Sequence, residues 1–164
     1  MQIDPSDRCN VSNSYTGEVN HLVRALEPYS EGVHFIEIET THMDRGGVGF
    51  HLLGVATAQA PQSFPWAEPG DQFWGILLGS GYVMKIHDGQ HERVGNLKCS
   101  LEIGTVYGML LDMSKGELSF FINGVSSGVA FSGLAGKRLF PAMGLGARDK
   151  NAYIARFDCP IPRT

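Results

Sequence analysis

Hydrophobic and polar positions alternate along most of this chain in short runs. In Val33 to Glu39, Ile36 and Ile38 point one way and Glu37 and Glu39 the other, the period-two pattern of a strand with one buried face. Gly47 to Thr57 carries Val48, Phe50, Leu52, Leu53 and Val55 on both parities, which predicts a strand covered on both faces or bent at Gly54. Phe73 to Leu78 and Tyr82 to Ile86 predict two further strands, the second ending in an Asp88-Gly89 hairpin turn. Thr105 to Met113 and Glu117 to Asn123 predict a hairpin closed by Ser114-Lys115-Gly116, with Leu118, Phe120 and Ile122 alternating against Glu117, Ser119 and Phe121. Asn123-Gly124 suits a type I′ turn, since both residues tolerate positive φ, so Val125 to Phe131 is expected to pair back. Leu139 to Leu145 and Ala152 to Phe157 complete the series, either side of the polar loop 146–151.

Two stretches break the pattern. Residues 1–31 are polar and turn-rich until His21 to Leu26, and are expected to wrap over the body before regular structure begins. Between Ala58 and Gln72, Pro61, Pro65 and Pro69 exclude a central strand and leave Phe64 and Trp66 in a long loop. No amphipathic helix of normal length is visible. Many short strands with turn signals between them predict an all-β sandwich or barrel.

Composition narrows the picture. A chain of 164 residues, 43% hydrophobic and 18% charged, is a soluble globular domain with a core of its own. Its 21 glycines far exceed the average usage of roughly 7%, in keeping with many tight turns. The net charge is −4 and no basic run exceeds Lys137-Arg138, so neither nucleic acid nor an anionic membrane is an expected partner. Cys9, Cys99 and Cys159 are odd in number and widely spaced, as in a reducing compartment, and the first residues carry no secretory leader. A cytoplasmic or nuclear protein is the expectation, with Asn10-Val11-Ser12 an ordinary polar loop.

Candidate chemistry is sparse. His87 and His91 flank a turn instead of sharing a helix face, and Gly144-Leu145-Gly146 precedes no helix, so no metal, nucleotide or other small-molecule cofactor is expected. Cys99 lies between aliphatic neighbours and reads as a buried thiol. Glu37 and Glu39 form a carboxylate pair on an exposed strand face, so the chain does not read as an enzyme. Phe64 and Trp66 are different, because a loop buries aromatics less readily than a strand does. They either plug one end of the sandwich or line a binding depression.

The motif order resembles that of SPRY domains. It begins with Gly32-Val33-His34-Phe35-Ile36-Glu37-Ile38-Glu39, then runs through Leu53 to Pro61, Phe73-Trp74-Gly75, His87-Asp88-Gly89, Leu110 to Phe120 and Gly128 to Ala142. The segments are most similar to those of the SPRY and SOCS-box proteins and related F-box proteins, substrate receptors of ubiquitin ligases. The resemblance implies a bent antiparallel two-sheet β-sandwich, jelly-roll-like, binding a peptide of a partner protein. The domain would span residues 17–158, with 1–16 a polar segment packed on it and 159–164 a tail too short for a SOCS box.

In that group the pocket is built from an early Arg-x-Pro loop with a Thr-Asp pair, a tyrosine after the Ala-Pro, and a late Val-Trp-Gly. Here the early positions fall near Asn13, Tyr15, Asn20 and His21, Trp66 stands where the tyrosine is sought, and the last segment reads Gly146-Ala147-Arg148. The expected partner-binding set is therefore Tyr15, Asn20, His21, Phe64, Trp66, Gly146, Ala147 and Arg148, directed at a protein or peptide other than the group's usual ligand. The domain is expected to be monomeric alone. The alternative is a structural role, packing against other parts of a larger protein.

Overall fold

The computed structural model describes residues 9–12, 21–42, 51–60, 71–88, 90–98, 102–146 and 152–163. All regular structure among them is β: β1 (Cys9–Ser12), β2 (His21–Arg24), β3 (Val33–His42), β4 (Leu52–Ala56), β5 (Asp71–Leu77), β6 (Tyr82–His87), β7 (Gln90–Asn96), β8 (Val106–Asp112), β9 (Glu117–Ile122), β10 (Val125–Phe131), β11 (Phe140–Leu145) and β12 (Ala152–Arg156). They form two antiparallel six-stranded sheets, ordered β1-β12-β3-β8-β9-β10 and β2-β11-β4-β5-β6-β7. The all-β sandwich expected from the alternation is the observed architecture.

Three strands differ from the sequence reading. β1 and β2 lie inside the segment expected to precede regular structure: β1 pairs with β12 and β2 with β11, each closing one sheet edge. β7 is a polar edge strand, exposed almost throughout, whose side chains carry no apolar period to betray it.

The main core fills the space between the sheets. Ile36 and Ile38 of β3, Leu53 and Val55 of β4, Trp74 and Ile76 of β5, Met109 and Leu111 of β8, and Leu118 and Phe120 of β9 meet there. β4 is buried at every position, because its other parity, Leu52 and Ala56, joins Phe73, Ile86, Leu22, Ala60 and Ala142 in a second cluster on the far side of the sheet. That is the physical basis of its two-faced apolar run. The Phe73 ring lies across Gly54 and Gly75, which face each other in register. The other sheet repeats the device. Phe35 and Phe121 pack edge to face, with centroids 5.1 Å apart, over Gly108.

The turns follow the predicted chemistry. Asn123 (φ 50°) and Gly124 (φ 80°) both occupy the left-handed region between β9 and β10. In the β8–β9 turn the Asp112 carboxylate accepts from the Ser114 amide, the Ser114 hydroxyl and the Lys115 amide. The Ser114 hydroxyl bond, with help from the two amides and the Lys115 charge, holds this carboxyl below its ordinary value.

Candidate functional site

Strand register decides which connections share an end of the sandwich. At one end His21 pairs with Leu145, Gly144 with Leu52, and Ala152 with both Ser12 and His42. The β1–β2, β3–β4 and β11–β12 connections therefore all emerge there. So does the β5–β6 turn, where the Leu78 amide donates to the His51 carbonyl at 2.8 Å. At the opposite end Ala56 pairs with Phe140 and Phe73, and Asp71 with His87, so the β4–β5 connection leaves and re-enters from that side.

Of the candidate site residues, the structure brings together His21, which opens β2, and Gly146, which directly follows β11. Tyr15, Asn20, Ala147 and Arg148 lie outside the described residues, on the two connections that flank this pair. Phe64 and Trp66 also lie outside them, on the connection rooted at the opposite end. Cys99, read as a buried thiol, is likewise outside the described residues.

The first end has a firm floor. His51 is fully buried, its ring 5.8 Å from that of Tyr153. Buried Thr40 donates its amide to Thr105 and accepts from the Gly104 amide, and the Asn123 side chain accepts from the Val106 amide at 2.9 Å. His42 and His51, which bracket the β3–β4 connection at this end, escaped the sequence reading. The signal that finds them is strand register, which sequence spacing does not carry.

At the other end Arg24 holds the root of the β4–β5 connection. Its Nη1 donates to the carbonyls of Thr57 (2.8 Å) and Ala58 (2.9 Å), and its guanidinium lies 5.4 Å from the Phe140 ring centroid. On the outer face of the first sheet Glu39 is engaged by Arg156 at 2.6 Å, so the Glu37/Glu39 pair is not a free carboxylate pair. Among the described residues no group of three His, Cys, Asp or Glu is placed to hold a metal ion, and no helix is long and apolar enough to cross a membrane.

With this geometry in place, comparison with known proteins is decisive at the level of family. The SPRY domain family matches residues 35–157, the span from β3 through the end of β12. The chain belongs to the SPRY domain family. It is 32% identical over 131 residues to SPRY domain-containing SOCS box protein 1 of Homo sapiens, covering 74% of this chain and 46% of that protein. It is 26% identical over 151 residues to protein gustavus of Drosophila melanogaster, covering 85% and 52%. This SPRY chain thus spans about half the length of the curated relatives it matches. The fold agrees with the SPRY domain of human HERC1 at a TM-score of 0.69, with 18% identity and coverage of 98% and 99%. For the TRIM65 PSpry domain the TM-score is 0.57, with 20% identity and coverage of 81% and 69%. SPRY domains are in general non-catalytic protein-interaction modules.

Proposed function

We propose that this SPRY domain recognises a short segment of a partner protein at the end where the β1–β2, β3–β4 and β11–β12 connections meet. The observation that supports this is the register of His21 with Leu145 and of Ala152 with Ser12 and His42, which roots three connections at one end of the sandwich. Tyr15, Asn20, His21, Gly146, Ala147 and Arg148 belong to that end by sequence. Aromatic, amide and guanidinium groups on converging loops are the chemistry that anchors a peptide. The relatives' names, SOCS box proteins, support a role as the recognition part of a ubiquitin-ligase adaptor. The replaced pocket residues argue for a different peptide.

Screening the chain against a peptide library tests this, with Arg148→Ala and Trp66→Ala compared in parallel. Loss of binding in Arg148→Ala alone supports the proposed end. Loss in Trp66→Ala alone moves the site to the opposite end, and no change in either variant refutes loop recognition. A second reading, packing against another part of a larger protein, draws on edge strand β10, which carries no charge and exposes Val125 and Val129. Concentration-dependent association of the isolated chain that Val129→Lys abolishes would favour it.

A further inference from the structure

Two further connections emerge at the end where the β1–β2, β3–β4 and β11–β12 connections are rooted. Val106 opens β8 opposite Glu39, and Tyr107 pairs with Ile122, so residues 102–105 and the Asn123-Gly124 turn lie on the same rim of the first sheet. Both are pinned to strand ends. The Gly104 amide donates to the Thr40 carbonyl at 2.7 Å, and the Thr40 amide to the Thr105 carbonyl at 3.0 Å. The Asn123 amide donates to the Val106 carbonyl at 2.7 Å, while its side-chain oxygen accepts from the Val106 amide at 2.9 Å.

These pinned turns carry Ile103, 65% exposed, and Val125, 67% exposed, the two most exposed large apolar side chains among the described residues. Single exposed apolar residues are ordinary on a protein surface. Two on one rim, both β-branched and both on fixed backbone, are preorganised, so covering them costs little side-chain or loop entropy. Between them the rim is low: a Cβ on Gly104 or on Gly124 would meet nothing within 4 Å. Glu102 is exposed beside Ile103 and forms no ion pair among the described residues, whereas Glu39, the other carboxylate toward this end, is held by Arg156. Lys98 follows Leu97, whose amide donates to the Gly81 carbonyl, and so belongs with the β5–β6 turn of the other sheet. The rim next to Ile103 is therefore acidic.

We propose that residues 102–105 and 123–125 form a docking strip for an extended partner segment with two apolar side chains, one for Ile103 and one for Val125, and a Lys or Arg beside the first, for Glu102. The spacing follows from the sheet. The 102–105 turn is bonded to β3 and leads into β8, and Val125 opens β10, two strands beyond β8. At about 4.8 Å per strand the two apolar side chains stand about 10–15 Å apart, which an extended chain covers in about three or four residues. The strip deepens the proposed function and rests on it, since it takes the same end of the sandwich as the partner's.

Selection from a displayed library of random peptides, with the unaltered chain as bait, tests the strip. Bound peptides should be enriched in an apolar pair at that spacing with Lys or Arg beside one member. Toward a labelled selected peptide, Ile103→Ser and Val125→Ser should each weaken binding about tenfold, the loss expected when an aliphatic contact is removed, with little change in the urea midpoint because both positions are exposed. Glu102→Lys should turn the enrichment from Lys and Arg to Asp and Glu. Selected peptides that bind both serine variants as tightly as the unaltered chain, or a charge preference that Glu102→Lys leaves in place, would overturn the strip. Arg148→Ala separates the two readings. If it loses binding while the serine variants keep it, the proposed end stands without the strip; if none of the three loses binding, or no peptide is selected, the proposed end falls as well.

Discussion

Adding a single methyl group at Gly54 tests the central architectural feature of the molecule, the close approach of β4 and β5 beneath Phe73. A Cβ built there would lie 2.1 Å from the Trp74 carbonyl oxygen, 2.6 Å from the Gly75 Cα and 2.8 Å from the tip of the Phe73 ring. The two nearest atoms are backbone of the paired strand, about 1 Å short of ordinary contact, and β4 is buried on both faces. Relief therefore requires the two strands to part. At Gly108 the nearest atoms are side chain instead, Phe35 Cζ at 2.6 Å and Phe121 Cβ at 2.9 Å, so relief asks for a shift of a buried ring and not a parting of paired backbones. Overpacking a core costs about 1–3 kcal/mol. Gly54→Ala belongs at the top of that range, about 3 kcal/mol, and Gly108→Ala at about 1–2 kcal/mol. With a urea slope of roughly 1–3 kcal/mol per molar, Gly54→Ala should lower the unfolding midpoint by about 1–3 M. An unchanged midpoint in Gly54→Ala, or a larger loss in Gly108→Ala, would refute the argument that backbone contact at β4–β5 sets the tolerance.

Other consequences can be measured on the same footing. In a Phe35→Ala background two of the three close contacts at Gly108 are gone and the Phe121 Cβ at 2.9 Å remains, so Gly108→Ala should cost less than in the unaltered chain, and additive midpoint shifts would contradict this. Arg24→Ala removes two charge-assisted bonds to the Thr57 and Ala58 carbonyls and should destabilise by about 2 kcal/mol in urea titration; less than about 0.5 kcal/mol would show that the loop root holds without it. The Asp112 carboxyl is held below its ordinary 3.8, so its contribution is present above that pH and is lost as pH falls through the lower folded value. Asp112→Asn should therefore flatten the acid limb of a stability-against-pH curve, and an acid limb of unchanged steepness would count against the turn as its source.

Much of the scaffold was legible because parity is enforced by burial. Ile36 and Ile38 must face the core together, and Leu118, Phe120 and Ile122 repeat that requirement one hairpin later, so the alternation survives in the sequence. The two-faced run of β4 was legible for the complementary reason, a second cluster on its far side. β7 was not, because an edge strand exposed at nearly every position is free to be polar. β1 and β2 were hidden by their length: four residues contain too little period to register.

The candidate site follows a different logic. A side chain on a connection has no strand neighbour to impose a parity, so local pattern constrains least the residues that would distinguish one partner from another. Sequence order even groups them misleadingly: Trp66 is nearer in the chain to His51 than Arg148 is, yet His51 opens onto the end that carries Arg148's connection while Trp66's connection is rooted at the other. Pairing across the sheets supplies the missing constraint. Once His21 is set beside Leu145 and Ala152 beside Ser12 and His42, residues separated by more than a hundred positions share one rim, and the choice between the two ends reduces to comparing Arg148→Ala with Trp66→Ala.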